Sequence, residues 1–508
     1  MANAQRPPAE WTQTLTHIEP DRDAAAGLCL SILHHPDHSR VGDEVWLEPN
    51  SDCLISRLQP RFASAHNAPA AALNDPYISR RGLRILTQGQ TRASLDGSDC
   101  PTPASLNGEP LSGVVPLTDE LLRQGAIITL AERVVMCLQR RQRPTASSNH
   151  ANDNQYGLIG SGQALRQVRE AIARLAPLPL PVLLLGESGT GKELVARALH
   201  QHSPRAERPL VAINAAAIPP DLAAAELFGA QRGAYTGSDR HRAGTLQQAA
   251  DGSLFLDEVG DLPVDVQALL LRVLETHEYQ ALGGGPTQHF KARLIAATDV
   301  DLRSAIAQGR FREALYHRLS AMTIQLPPLR QQRENIGLLL QHLLAQEAQQ
   351  LKLQARCLQQ RPPQDPAWLP AAWFTRLALA PWPGNVRQLR NLARQLLVLG
   401  HDRLTIEGDE RAAALIDVAC APAQGHTNTQ PSPSAITARP ESTATAANAT
   451  DLASLDDDAL LQILEQHQWR LLRVAQALQV PRSSLYDRIH RSPALSQALD
   501  RSRGRQAQ

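Results

Sequence analysis

The eight residues Gly186-Glu187-Ser188-Gly189-Thr190-Gly191-Lys192-Glu193 combine three glycines with a lysine. They follow the apolar run Pro181–Leu185 and lead into a helical stretch, Glu193–His200. In a strand–loop–helix setting, such a loop lets backbone N–H groups curl around phosphates, and the helix N-terminus adds positive potential. Lys192 would reach the β- and γ-phosphates of a nucleotide. The chain has only three lysines, Lys192, Lys291 and Lys352, against a large excess of arginine. Glu193 departs from the general pattern, which places a Mg²⁺-binding Ser or Thr after the lysine.

A second chemical group lies some sixty residues on. Gly252-Ser253-Leu254-Phe255-Leu256-Asp257-Glu258 sets two carboxylates at the end of an apolar strand. Asp257 would hold Mg²⁺, directly or through water, and Glu258 would polarise an attacking water. Taken alone, the pair could equally cap a strand end. Asn214 closes the strand Leu210–Ile213. It is placed to hold Glu258 in an inactive pose; a turn asparagine is the plainer alternative.

Further motifs join these. Gly229-Ala230-Gln231-Arg232-Gly233-Ala234-Tyr235-Thr236-Gly237-Ser238 lies between Asn214 and the carboxylate pair, and Ala296-Ala297-Thr298-Asp299 follows that pair. The segment Gly309 to Leu319 and Trp382-Pro383-Gly384-Asn385-Val386-Arg387-Gln388-Leu389 complete the set. Over residues 157–405 the ordered set resembles the central AAA+ domain of sigma-54-dependent transcription activators, whose phosphate loop also ends in Lys-Glu. The resemblance implies ATP and Mg²⁺ as cofactors. Residues Gly186, Glu187, Ser188, Gly189, Thr190, Gly191, Lys192 and Glu193 would hold the nucleotide, with Thr298 as phosphate sensor and Arg387 contacting it from the lid. It makes Asp257, Glu258 and Asn214 catalytic. Arg312 and Arg318 would serve a neighbouring subunit's nucleotide in a homo-oligomeric ring. Gly233, Ala234, Tyr235, Thr236, Gly237 and Ser238 would touch sigma-54, the loop rising and falling with the γ-phosphate. Three departures stand out. Tyr235 replaces the usual Phe, Ser238 the usual Ala, and Asp299 the usual Asn. A carboxylate at 299 repels phosphate unless a cation compensates, so altered hydrolysis is one expectation.

The two ends carry further resemblances. Residues 451–508 resemble a Fis-type helix–turn–helix. Arg482, Ser483, Ser484, Tyr486 and Arg488 would sit on its recognition helix against double-stranded DNA upstream of a promoter. From Trp469 to Arg505 there are eight arginines against two aspartates, a local net charge of +6. At the other end, residues 1–141 resemble a forkhead-associated (FHA) domain. There Arg57, Ser79, Arg80 and Asn107 would cradle a partner's phosphothreonine. Gly82 stands where that family has its histidine. A β-domain that binds no phosphopeptide is the alternative.

The elements that must position these residues follow from patterning. The chain of 508 residues has net charge +1, 43% hydrophobic and 20% charged residues. This excludes a disordered or globally basic chain and supports about three packed domains. Short apolar stretches such as Leu28–Leu33, Val45–Leu47, Gly82–Leu86 and Ala126–Leu138 predict an all-β N-terminal domain. Val182–Leu185, Leu210–Ile213, Ser253–Leu256 and Arg293–Ala297 read as buried strands alternating with helices, which implies a parallel sheet. The expected fold is therefore multidomain. An N-terminal FHA-like β-sandwich (1–141) leads through a linker (142–156) to an α/β AAA+ P-loop ATPase (157–330) and its helical lid (331–410). A flexible linker (411–450) then precedes the all-α helix–turn–helix (451–508). Six scattered cysteines fit a reduced, cytoplasmic protein, and no apolar run approaches the roughly 18 residues that span a bilayer.

The expected function is a regulator that binds upstream DNA and couples ATP hydrolysis to promoter opening by the sigma-54 RNA polymerase holoenzyme. The FHA-like domain would gate it. An AAA+ machine for another protein client, or a DNA-bound scaffold with a decayed ATPase, are the alternatives.

Overall fold

The computed structural model describes residues 26–64, 68–143, 155–234, 242–359 and 364–421, together with Leu460 and Leu464. The chain divides into two compact units, residues 1–426 and 427–508.

The first unit opens with ten strands. They are β1 (Ala26–His34), β2 (Glu44–Leu47), β3 (Asp52–Ile55), β4 (Leu83–Gln88), β5 (Arg92–Asp96), β6 (Ala104–Leu106), β7 (Glu109–Pro110), β8 (Val114–Leu117), β9 (Ala126–Leu130) and β10 (Val134–Gln142); the short helix α1 (Asp119–Gln124) precedes β9. They form two antiparallel sheets, ordered β2-β1-β10-β9-β6-β7 and β3-β4-β5-β8. Leu28, Leu30, Ile32, Ile128 and Met136 from one sheet meet Ile55, Ile85 and Leu95 from the other in a shared core. The predicted β-sandwich is present. The run Ala126–Leu138 forms two strands joined by a turn, with Ala131 and Glu132 both at positive φ. Every residue of β9 is buried. Ala126, Ile128 and Leu130 face the sandwich core, while Ile127 points the other way into the lid core. A strand covered on both faces reads as a continuous apolar run rather than an alternation.

The next stretch is α/β. Its elements are α2 (Gln163–Leu175), β11 (Val182–Leu185), α3 (Lys192–Gln201), β12 (Leu210–Asn214), α4 (Pro220–Phe228), α5 (Thr245–Gln248), β13 (Ser253–Asp257), α6 (Val264–Thr276), β14 (Glu278–Tyr279), β15 (Gln288–His289), β16 (Arg293–Thr298), α7 (Leu302–Ala307), α8 (Glu313–Leu319) and β17 (Thr323–Gln325). Five of the strands make a sheet in the order β12-β13-β16-β11-β17, parallel throughout. The four predicted strands match β11, β12, β13 and β16 to within a residue; β17 was not anticipated. In this order β11 sits between β16 and β17, where successive connections leave in opposite directions. Loops at the C-terminal ends of such strands form a ligand crevice.

The lid comprises α9 (Ile336–Gln350), α10 (Ala371–Leu379), α11 (Asn385–Gly400) and α12 (Glu410–Cys420). Its core holds Trp368 and Trp382, whose indole N–H groups donate to the carbonyls of Gly400 and Leu377, each at 2.9 Å. Helix α12 buries Ala412, Ile416 and Ala419. The lid thus reaches Cys420, into the stretch expected from residue 411 to be linker. The periodic Ala412, Ile416 and Ala419 fix α12 as an amphipathic helix.

Of the second unit, Leu460 and Leu464 are helical and buried. Arg482, Ser483, Ser484, Tyr486 and Arg488 lie outside the described residues.

Candidate nucleotide site

The phosphate loop runs from the end of β11 into α3. Gly189 (φ +79°) and Gly191 (φ +100°) adopt the left-handed region that favours glycine. A Cβ at Gly189 would meet the Gly384 carbonyl at 2.4 Å, so the lid backbone lies directly on the loop. Lys192 is buried, and its ammonium donates to the Gly186 carbonyl at 2.8 Å. It stands 3.3 Å from the Glu258 carboxylate. Thr190 folds its hydroxyl back to the Glu187 carbonyl at 2.8 Å. Glu193 turns outward and pairs with Arg197 one helical turn on, at 2.7 Å.

The adjacent strands supply the acids. Asp257 ends β13 and Glu258 follows at φ +52°. Asp257 accepts from the Glu258 N–H at 3.1 Å, and Glu258 accepts from the Asp299 N–H at 3.1 Å. Burial pushes both carboxyls above their ordinary pKa; Lys192 opposes this, and the Asp299 charge adds to it. Asp261 is raised as well, by burial and by Asp299. A site with this much unrelieved negative charge beside one lysine suits a divalent cation held partly by phosphate oxygens. Asp257 is the residue that would hold it. Thr298 is fully buried; its hydroxyl accepts from the Val300 N–H at 3.1 Å, and its carbonyl accepts from the Gly186 N–H at 3.3 Å.

Asn214 does not hold Glu258 in this conformation. It pairs in register with Asp257, but its side chain caps a short turn by accepting from the Ala216 N–H at 2.9 Å. An asparagine at a turn start satisfies the nearest free N–H before it reaches across strands.

The lid closes the other side. Arg387 donates to the Ser188 hydroxyl at 3.0 Å, which brings the first turn of α11 onto the phosphate loop. Four further residues here received no role from the motifs. Arg330 takes both carboxylate oxygens of Glu187, at 2.8 and 2.6 Å. Asn385 donates to Glu187 and to the Ser188 carbonyl. Pro381 and Pro383 line the same cleft, of about 520 Å³, with Glu187, Ser188, Asp299 and Arg330. The sequence does hold a signal for these two prolines and for Asn385, in Pro381-Trp382-Pro383-Gly384-Asn385. Arg330 carries none, because its role depends on the chain reversal after β17.

Arg312 and Arg318 lean on α6 instead. Arg312 donates to the Val264 carbonyl at 2.9 Å and Arg318 to the Leu274 carbonyl at 2.8 Å. The 233–238 loop is described only at its base. Ala230 bridges to Arg242 and Leu282, and the Ala234 N–H donates to the Gln231 carbonyl at 3.1 Å. Gly233 and Ala234 lie within this base; Tyr235, Thr236, Gly237 and Ser238 lie outside the described residues.

In the N-terminal sandwich, Arg57 and Ser79 share one loop cluster. The Arg57 guanidinium donates to the carbonyls of Asp75 at 3.0 Å, Ile78 at 3.1 Å and Pro76, and its backbone N–H donates to Ser79. Ser79 accepts from the Arg81 N–H at 3.1 Å, and Arg80 is exposed. Asn107, at φ +52°, instead pairs with Ile127 through both its backbone and its side chain.

The central part of the chain matches known protein families. Residues 158–325 match the sigma-54 interaction domain family, and residues 330–410 match the AAA+ ATPase lid domain family. The DNA-binding transcriptional regulator NtrC of Escherichia coli (strain K12) is 45% identical over 272 residues, 54% of this chain and 55% of that protein. NtrC of Azospirillum brasilense is 46% identical over 247 residues, 49% of each. A crystal structure of NtrX from Brucella abortus in complex with ADP is 30% identical, covering 66% of this chain and 68% of that one, with a TM-score of 0.46. The chain spans about half the length of the curated relatives it matches. The central domain is an ATPase domain.

Proposed function

With residues 158–325 a sigma-54 interaction domain and residues 330–410 its AAA+ lid, we propose that this chain is a sigma-54-dependent transcriptional activator. It hydrolyses ATP in a homo-oligomeric ring in the cytoplasm and drives promoter opening by the sigma-54 RNA polymerase holoenzyme. The supporting observation is that Lys192 stands 3.3 Å from Glu258 while Arg387 reaches the same phosphate loop at Ser188 from the lid.

Each residue has a stated task. Lys192 neutralises the terminal phosphates, and the backbone of residues 187–191 cradles them. Glu258 orients and deprotonates the attacking water. Mg²⁺, near Asp257, would supply charge neutralisation across the phosphates. Arg387 reports the nucleotide to the lid. Arg312 and Arg318 act on the neighbouring subunit. Tyr235 is the tip of the loop that touches sigma-54. Among the described residues no helix is long and apolar enough to cross a membrane.

The ends complete the proposal. Residues 451–508 hold upstream double-stranded DNA through Arg482, Ser483, Ser484, Tyr486 and Arg488. The N-terminal sandwich is FHA-like and takes a phosphothreonine partner at the Arg57–Ser79 loops. Its two sheets of six and four strands and the shared Arg57–Ser79 cluster support this.

Transcription in vitro from a sigma-54 promoter tests the reading. Glu258→Ala is expected to lose both ATP turnover and transcripts, and Tyr235→Ala to lose transcripts alone. A wild-type chain that turns over ATP and opens no such promoter would overturn it.

A further inference from the structure

Asn385 is the first residue of α11, fully buried, with φ +48°. Its side chain binds three different places. Its Oδ1 accepts from the Leu329 N–H at 2.8 Å. Its Nδ2 donates to Glu187 Oε2 at 3.1 Å and to the Ser188 carbonyl at 3.0 Å. The next residue adds a backbone bond, Val386 N–H to the Gly189 carbonyl at 3.0 Å. Leu329 leads into Arg330, the residue that takes both oxygens of Glu187. One buried amide therefore joins the chain leaving β17, the start of a lid helix and the 187–189 limb of the phosphate loop. A non-glycine residue at positive φ persists where its surroundings over-determine it. Asparagine suits this position because it tolerates the left-handed region and carries both donor and acceptor.

We propose that Asn385 is a positioning residue for nucleotide turnover: its side-chain amide sets the shape of the phosphate loop from the lid. It acts through Glu187 and Ser188 rather than on the nucleotide itself. Lid tilt and loop shape then become a single variable. The same short segment is anchored to the N-terminal part of the chain. Arg333 donates to the Gly125 carbonyl at 2.9 Å, and Asn335 accepts from the Gly162 N–H at 3.1 Å. This inference rests on the central domain working as an ATPase.

The full chain is tested with Asn385→Asp, Glu187→Gln and the two combined. Aspartate keeps the acceptor for Leu329, loses both donors and sets a carboxylate against Glu187. In the double variant the side-chain amide introduced at position 187 can donate to the carboxylate introduced at position 385, which restores the link in reverse. The readouts are affinity for a fluorescent ATP analogue, kcat and KM for ATP, and thermal midpoint. Asn385→Asp is expected to weaken analogue binding and raise KM by about ten-fold or more, the scale of one lost charge-assisted hydrogen bond. The double variant is expected to return KM to within about three-fold of Glu187→Gln alone. An unchanged KM in Asn385→Asp overturns the proposal. So does a lowered midpoint with no recovery in the double variant, which marks a purely structural role. A wild-type chain that binds no analogue overturns the ATPase reading as well, and it shows before any variant is compared.

Discussion

Thr129 on β9 and Thr375 on lid helix α10 share a 2.8 Å hydrogen bond, both buried, although 246 residues separate them in the chain. The bond marks a buried seam between the N-terminal sandwich and the lid. Leu33, Ile127, Val135 and Cys137 join the same apolar core as Ile336, Leu340, Phe374 and Leu377. A Cβ at Gly337 would meet the Leu33 carbonyl at 2.0 Å, so backbone packs against backbone here. The N-terminal domain is built into the lid rather than tethered to it.

Phe374 sits at the centre of that seam, stacked on His34 with ring centroids 5.0 Å apart. Phe374→Ala is expected to cost about 3–5 kcal/mol, the range for a buried aromatic truncation. Denaturant unfolding followed in both domains measures it. Sandwich and lid should lose stability together; loss confined to the lid would contradict a shared core.

His34 gives the seam a pH dependence. Burial, with His38, His35 and Arg133 nearby, lowers its pKa from 6.5 to about 3. The unfolded chain takes up a proton at the ordinary value, and the folded chain takes one only near the lowered value. Between these two values the unfolded state binds more protons, so stability falls as pH falls through this window and is complete above 6.5. His34→Phe should flatten that decline in unfolding midpoints measured against pH.

Arg141 and Glu44 form a buried pair at 2.6 Å, and Ser161 donates to the same carboxylate oxygen at 2.7 Å. Burial raises the Glu44 pKa, but Arg141 and these hydrogen bonds win and hold it below the ordinary carboxylate value. Its stabilisation is present above the unfolded pKa of 4.5 and is lost as pH falls through the lowered folded value. Arg141→Met leaves a buried carboxylate unpaired and should cost about 3–5 kcal/mol. Glu44→Gln with Arg141→Met should recover most of it in a double-mutant cycle.

Asp299 tunes Glu258. Its backbone N–H binds the carboxylate, while its own charge pushes the carboxyl up, in the same direction as burial. If turnover needs the ionised form, activity falls as pH falls through a pKa above the ordinary glutamate value. Asp299→Asn keeps the N–H and removes the charge. The acid limb of the kcat profile should move to lower pH, and turnover near that limb should rise. An unmoved limb would show that another group controls it.

Local patterns were enough for the elements that do chemistry. The glycines and lysine of 186–192 require a loop that only a strand–helix junction supplies, and β11, β12, β13 and β16 follow from uninterrupted apolar runs. Lys192 meets Glu258 and Arg387 meets Ser188 from short stretches whose backbone sets its own direction. Contacts between distant segments were not legible. Asn214 caps its own turn because a free N–H lies two residues away, and Arg330 meets Glu187 because β17 returns the chain to the loop. The apolar stretch Ala126–Leu138, broken at Thr129 and at Glu132-Arg133, reads as part of an all-β domain. It could not show that the second covering layer is a lid helix more than two hundred residues on, because apolar surface is not specific for its partner. Only the tertiary packing made that choice.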